Sequence, residues 1–363
     1  MAKRLHSDRI LFVTIVGLVA FGLVMVFSSS AVLSNDQFGN AYVFLLRQLA
    51  WAVAGLAAML VIMRFDYHRY RHPAFIFLSL SVALALLVLV LFFDSSHNTH
   101  RWFRWGPVSF QPSELSKPVL ILFLAWFLEQ RNERINDWLY TLLPAGMVVG
   151  AAVGLILKEP DLGTAVAIML TAAALFFLAG AHLRYFAAAG LACLPVFYML
   201  IFRVSWRRDR ILAFLDPEAD PQGKGFQMIQ SMIAVGTGGL TGLGLMQGKQ
   251  KLFYLPAPHT DFIFAVAAEE LGLIGSLAVV GAFGVVLWRG LRASMRAPDL
   301  FGRYLAAGVT MMIVGQALIN FSVVLGMMPT KGIPLPFISY GGSSLLFSLV
   351  SMGLLLNVTQ HAE

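Results

Sequence analysis

The chain has 363 residues, of which 58% are hydrophobic and only 12% charged, with a formal net charge of +7. A soluble domain carries roughly 25% charged residues, so a water-soluble fold is excluded. The basic excess does not call for a nucleic acid, because Lys and Arg gather in the cytoplasmic loops of membrane proteins and no Lys/Arg-rich run with interleaved aromatics is present. Apolar runs of about 20 residues recur along the chain, each long enough to cross a ~30 Å hydrocarbon core. They are continuous rather than alternating, which excludes a β-barrel. The expected fold class is all-α, a polytopic membrane protein forming one domain over 1–363.

In chain order, ten transmembrane helices are predicted at 10–33, 42–63, 74–93, 113–129, 138–157, 163–180, 184–203, 262–288, 304–327 and 342–358. The leading "MAKRLHSDR" resembles the start of a signal peptide, but the apolar run behind it is too long for a cleavable one and reads as an uncleaved first span. Arg47 lies one turn into the second span and is expected to snorkel to the interface. "HRWFRWGPVSFQPSELSK" (100–117) leads into the fourth span. Its Glu114 and Lys117 stand at i,i+3 and can pair along one face. The pair either orients the span or leaves Lys117 facing a cavity, where it meets an anionic ligand. "KEPDLG" (158–163) joins the fifth span to the sixth. Cys193, the sole cysteine, cannot form an intramolecular disulfide and is expected as a packed thiol.

A large outer loop follows at about 204–261. Within it "GFQMIQSMIAV" (225–235) places Met228, Ile229, Met232 and Ile233 on one helical face. That pattern predicts a short helix on the membrane surface, in an outer cavity, or packed on the spans. "GTGGLTGLG" (236–244) does not sit between a strand and a helix, so it is not a dinucleotide site. The loop ends at Asp261, which either caps the eighth span or stands at the mouth of a cavity beside His259 and basic residues. Glu269 and Glu270 follow two to three turns deeper, pointing ~100° apart. At least one faces the bundle interior, because a carboxylate facing lipid is expensive. Arg101, Arg104 or Lys331 would be partners, and the residues leave open whether these acids pair internally or meet a ligand. "MMPTKGIPLPFISYGGSS" (327–344) joins the last two spans.

Lys and Arg concentrate at 3–9, 64–71, 131–134, 184 and 289–303, which assigns those segments and both termini to the cytoplasm. The segments rich in Pro, Gly and aromatics all fall on the other face, where specified backbone marks a working surface. That surface has no P-loop, no GxSxG elbow and no His cluster at metal spacing. An enzyme there needs a substrate that carries its own activation and reaches the outer leaflet, and lipid-linked sugars meet both conditions.

"KQKLFYLPAPHTDFIFAVAAEELGLIG", "PTKGIPLPFISYGGSS", "RWFRWGPVSFQPSELSK" and "EPDLGTA" together resemble the SEDS family (shape, elongation, division and sporulation), in order over nearly the whole chain. "MVFSSSAVLSNDQFGNAYVFLLRQLAW", "FLDPEADPQGKGFQMIQSMIAVGTGG" and the Lys of "PTKG" are similar to its division branch rather than its elongation branch. The resemblance implies a peptidoglycan glycosyltransferase of the bacterial cytoplasmic (inner) membrane. Such an enzyme polymerises lipid II, a disaccharide-pentapeptide on undecaprenyl pyrophosphate, on the outer face at the division septum. It implies a class B penicillin-binding protein (FtsI-like) transpeptidase as partner, together with division proteins such as FtsQ, FtsL and FtsB. A lipid II flippase and a non-catalytic division scaffold are the rival readings.

By that resemblance, the family's essential aspartate falls on Asp261 and its lysine on Lys331. Its arginine falls on Arg101, with Arg104 close by. As a general base toward a sugar hydroxyl, Asp261 would supply ~10²–10⁴-fold; it could equally ligate a divalent cation, Mg2+ or Mn2+. Arg101, Lys117 and Lys331 are candidates to stabilise the departing pyrophosphate. Glu114, Glu269, Glu270 and Ser343 complete the candidate substrate-binding set.

Overall fold

The computed structural model describes residues 7–93, 100–106, 108–330 and 332–362. Its helices in chain order are α1 (Arg9–Phe38), α2 (Val43–Arg64), α3 (Pro73–Phe93), α4 (Pro112–Gln130), α5 (Leu143–Lys158) and α6 (Leu162–Leu178). There follow α7 (Leu183–Phe202), α8 (Ser205–Leu215), α9 (Phe226–Gly238), α10 (Ile263–Arg296), α11 (Leu300–Val324) and α12 (Gly342–His361). All but α8 and α9, which lie in the large loop, coincide with predicted spans. Among the described residues, seven helices are long and apolar enough to cross a membrane: α1, α2, α3, α5 with its leading turn from Trp138, α10, α11 and α12. The other three fall short for different reasons. Glu114, Lys117 and Glu129 lie within α4, α6 has 17 residues, and α7 is counted over its described apolar stretch Leu183–Pro195.

Between α3 and α4, β1 (Phe103–Trp105) and β2 (Val108–Phe110) form an antiparallel pair that pairs Phe103 with Phe110 and Arg104 with Ser109. This hairpin is the one departure from the all-α expectation among the described residues. α11 is the centre of the bundle, packed by α10, α4, α6 and α12, while α12 also lies along α2. By contrast, α7 is exposed along nearly its whole length. Cys193 on α7 is exposed, not packed as expected: at the rim of the bundle an apolar side chain meets lipid, so hydrophobicity does not imply burial within the protein.

The contacts sort the connecting segments into two ends. At one end Asp8 pairs with Arg289, Arg71 with Glu129 at 2.8 Å, and Tyr304 donates to Asn132 at 2.9 Å. These residues all belong to the connections read from Lys and Arg as cytoplasmic. The Pro- and Gly-rich segments meet at the other end.

α9 takes the last of the three placements left open for it. It packs on α10 and α11, burying Met228, Ser231, Ala234 and Gly238, and the Ser231 hydroxyl donates to the Val324 carbonyl at 2.9 Å. Met232 and Ile233, from the apolar face, are exposed. Small residues let helix backbones approach closely, so in a membrane protein they make the contacts that large apolar residues make in water.

The Gly-rich 236–244 stretch has a structural role. α10 is broken at Gly272 (φ 64°, ψ −160°), a conformation that glycine adopts without the penalty of a Cβ. The amides of Leu273 and Ile274, which would have bonded Glu269 and Glu270, turn to the carbonyls of Gly239 and Leu240 at 2.9 and 3.2 Å. Leu243 and Gly244 in turn donate to the released carbonyls of Glu269 and Glu270, at 3.0 and 2.9 Å. Four bonds to the loop thus satisfy the two amides and two carbonyls that the break releases, as buried peptide groups require.

Candidate functional site

Asp261 precedes α10, and the backbone around it is held from three sides. The Tyr340 amide donates to the His259 carbonyl at 2.9 Å, Ser339 Oγ to the Thr260 carbonyl at 2.6 Å, and Asn320 Nδ2 to the Asp261 carbonyl at 2.8 Å. The helix cap falls on Phe262 and no side chain caps it, so the capping alternative for Asp261 does not hold. Asp261 instead lines a cavity of about 410 Å³, together with Arg101, Asp161, Trp206, Arg207, Arg210 and residues 328–330 and 332. These residues come from four outer segments.

Each charged group is fixed by its own element. Arg101 Nε donates to the Glu159 carbonyl at 2.7 Å, and its Nη2 to the Pro160 carbonyl, which clamps the guanidinium to the α5–α6 turn. Asp161 caps α6 by accepting from the Thr164 amide at 3.1 Å and its hydroxyl at 2.8 Å, and also accepts from Gln111 at 3.2 Å. Arg207 and Arg210 stand at i,i+3 on α8 and share one face. Both guanidiniums lie on the Trp206 ring, 5.0 and 5.1 Å from its centroid, within cation–π range.

The cavity therefore combines three guanidiniums with two carboxylates, one of which is occupied as a helix cap. Burial pushes the Asp261 carboxyl up to about 6 and Asp161 adds to the effect, while Arg210 and Arg101 oppose it. A carboxylate poised there is mostly ionised at neutral pH yet more basic than an ordinary aspartate, which suits a general base. Glu159 is fully buried behind Arg101. Its carboxyl is pushed up to about 9 by burial and by Asp161, against Arg101, so it is neutral at pH 7. His259 packs between Phe44 and Tyr340 at 5.0 and 5.6 Å, and burial pushes its imidazole down to about 4. The neighbour expected to add to the basic surroundings is thus uncharged.

The structure separates the other candidates. Arg101 lines the cavity; Arg104, on the hairpin, is exposed and does not. Lys117 and Glu114 are buried, paired at 2.8 Å, and away from the cavity wall. Lys117 also donates to Gln316 at 3.0 Å, and Gln316 donates to the Pro334 carbonyl at 2.9 Å. That chain of bonds braces the same 332–340 segment that holds Asp261 in place. Ser343 is buried at the start of α12 and its hydroxyl has no hydrogen-bond partner among the described residues. Lys331 lies outside the described residues.

Glu269 and Glu270 do not meet Arg101 or Arg104. Glu270 pairs with Lys251 at 2.6 Å and accepts from Ser28 at 2.7 Å and from the Met246 amide at 3.0 Å. Glu269 accepts the Lys249 amide at 2.8 Å and the Gln250 amide at 3.2 Å. Lys251 lies in the large loop, and the loop's inward fold, invisible to helix periodicity, is what brings it there. Arg207, Arg210 and Asp161 are the cavity residues missed by sequence reasoning. The available signal was "SWRRDR", with two arginines at helical spacing beside an aromatic.

Among the described residues, a divalent cation finds no donor set in this cavity. With Asp161 occupied, Asp261 is the one carboxylate lining it that can ligate, and three guanidiniums surround it. This arrangement suits an anionic ligand, not a bare Mg2+ or Mn2+. The cluster with metal-ligand geometry among the described residues is Asp66, His68 and His361, at the opposite end of the bundle.

With this geometry established, the comparisons decide the family. The model for the cell cycle proteins FtsW, RodA and SpoVE matches residues 8–363. The chain belongs to that family. It is similar to the probable peptidoglycan glycosyltransferase FtsW of Geobacter sulfurreducens, 41% identical over 98% of this chain and 96% of the relative. Similarity to the stage V sporulation protein E of Bacillus subtilis is equal, 42% identical over 99% of both chains. Among solved structures, a chain of a peptidoglycan synthase complex that coordinates polymerization and crosslinking superposes with a TM-score of 0.80, at 33% identity and 98% coverage of both chains. The rod shape determining protein RodA of Thermus thermophilus follows with a TM-score of 0.72 at 29% identity, covering 98% of this chain and 97% of RodA. Like these FtsW/RodA/SpoVE relatives, the protein is a multi-pass protein of the cytoplasmic membrane.

Proposed function

We propose that the protein is a peptidoglycan glycosyltransferase that polymerises lipid II on the outer face of the cytoplasmic membrane during cell division. The observation that carries this reading is the Asp261 carboxylate, which among the described residues has no hydrogen-bond partner, in a cavity walled by Arg101, Arg207 and Arg210. A sugar hydroxyl is a poor nucleophile until a base takes its proton, and a lipid pyrophosphate leaves readily only where positive charge receives it. The cavity offers both groups within one wall.

In the proposed step, Asp261 accepts the proton of the acceptor sugar's 4-hydroxyl as its oxygen attacks the anomeric carbon of the donor. The carbon–oxygen bond to undecaprenyl pyrophosphate breaks, and the pyrophosphate departs with the bonding pair. Arg101, Arg207 and Arg210 stabilise the charge that develops on it, and their fixed positions avoid reorganisation during the reaction. Lys331 joins them on sequence position, between the cavity-lining Thr330 and Gly332. Glu114 and Lys117 act as positioning residues through Gln316 and the 332–340 segment.

The finer assignments belong to the same proposal. They are ten spans with both termini cytoplasmic, action at the septum, and a class B penicillin-binding protein as transpeptidase partner alongside FtsQ, FtsL and FtsB. The peptidoglycan synthase complex among the structural neighbours supports a partner of that kind. A flippase would need free polar groups along a membrane path, whereas Glu269, Glu270, Lys117 and Lys251 are all engaged internally.

The test is polymerisation of labelled lipid II by purified protein together with its partner, wild type against Asp261→Asn at equal expression. The variant should lose ~10²–10⁴-fold. Near-full activity would remove the base assignment. Scrambling of lipid II across liposomes without glycan product would favour transport.

A further inference from the structure

At the end of the bundle opposite Asp261 lies a second cavity, of about 410 Å³, that the proposed reaction does not use. It sits between the start of α1 and the ends of α10 and α12, and is lined by Arg9, Arg289, Arg292, Arg296, Asp8 and Ile10 among others. Its single acid is already engaged: Asp8 caps α1 through the Leu11 amide at 3.1 Å and pairs with Arg289. Among the described residues, Arg9, Arg292 and Arg296 have no ion-pair partner. Among the described residues the cavity therefore holds an excess positive charge of about three.

What lies beneath the arginines identifies the ligand class. On α10, Leu277, Gly281, Gly284 and Trp288 are exposed, and their spacing of three and four residues puts them on one helical face. The same face continues at Arg292 and Arg296. On α1, Val13 and Ile10 are exposed at 67% and 52% just below Arg9. Two apolar stripes thus run up the bilayer-facing side and end in guanidiniums. Trp288 sits at the junction with the Arg289 guanidinium 5.3 Å from its ring centroid, as interfacial Trp residues do at the headgroup level. An inorganic anion would use only the charged half of this arrangement. An amphiphile with an anionic phosphodiester above two acyl chains uses both.

We propose that this cavity is a binding site for the headgroup of an anionic phospholipid of the inner leaflet, with its acyl chains along the exposed stripes of α1 and α10. The site ties the start of α1 to the ends of α10 and α12, so an occupant would hold the two termini of the described chain together.

The experiment uses the full chain, reconstituted in phosphatidylcholine nanodiscs doped with phosphatidylglycerol. Native mass spectrometry after detergent release counts the lipids retained. Wild type should retain phosphatidylglycerol in preference to phosphatidylcholine, and the Arg292→Gln/Arg296→Gln double variant should lose about tenfold of that preference, each basic residue near an anionic surface contributing of order tenfold or less. Added inorganic phosphate should leave the retained lipid unchanged. Equal retention of the two lipids by wild type, or an undiminished preference in the variant, would overturn the proposal. Displacement by inorganic phosphate would overturn it too, in favour of a soluble anion. Thermal unfolding in phosphatidylcholine alone checks that the double variant folds. If it does not, Arg296→Gln, exposed and outside any ion pair, reads the same preference.

Discussion

Asp261 and Glu270 stand nine residues apart in sequence and on the same side of the Gly272 break, yet the fold treats them in opposite ways. Glu270 is fully buried, paired with Lys251 and hydrogen-bonded by Ser28 and the Met246 amide. Asp261 has its backbone fixed from three sides while its carboxylate is left open to a cavity of cations. Satisfying a buried charge holds a structure together; leaving one unsatisfied, at a wall where substrate arrives, keeps it available for chemistry. In the proposed reaction, the difference between the two acids is one between a fastening and a reactive group.

The comparison can be broken most directly by exchanging the consequences. Asp261→Asn should lower lipid II polymerisation by ~10²–10⁴-fold while leaving thermal unfolding within about 0.5 kcal/mol of wild type, because no side-chain bond to a described residue is lost. A matching loss of stability would make Asp261 structural. For the other acid the pattern reverses. Lys251→Met leaves Glu270 uncompensated and should destabilise the protein by about 3–5 kcal/mol, and the Lys251→Met/Glu270→Leu pair should recover most of that loss. Unfolding in detergent measures both, and a single variant as stable as wild type would refute the fastening.

The cavity's electrostatics give a smaller effect of defined sign. Asp261 must be ionised to act as base, so the rate should rise with pH through about 6. Arg210 lowers that value and Asp161 raises it. Arg210→Gln should therefore move the rising limb to higher pH, and Asp161→Asn should move it to lower pH. A limb that stays in place in both variants would show that another group controls it.

Glu159 gives the smallest effect. Its carboxyl is raised from 4.5 to about 9 in the fold, so its contribution to stability is complete below 4.5 and is lost as pH rises toward about 9. Glu159→Gln does not titrate, and should be more stable than wild type at pH 7 by roughly 1 kcal/mol or more, with the gap closing as pH falls to 4.5. Parallel stability curves for the two proteins across that range would show that the carboxyl is not held neutral.

Much of this organisation was legible before any fold was known. Hydropathy located the long helices, because a backbone in hydrocarbon must satisfy its own hydrogen bonds and an apolar run of that length has few alternatives. The Lys and Arg distribution grouped the loops into the same two sets that the contacts bring together. Asp261 was visible as an acid at a loop–helix boundary, and the family motif around it narrowed the choice.

What the sequence could not show depended on long-range geometry. Periodicity left the placement of α9 open, since both lipid and protein accept apolar side chains and only tight backbone approach selects the small ones. Lys251 as the partner of Glu270, Arg207 and Arg210 as cavity cations, and Lys117 as a brace behind the wall all join residues from distant segments. No local pattern encodes such pairings. Sequence alone determined that this chain crosses a membrane, which end of the bundle carries the unusual chemistry, and which acid stands at its edge. The tertiary structure decided which charges cancel and which remain open, because that depends on the few ångströms between side chains that the folded loops bring together.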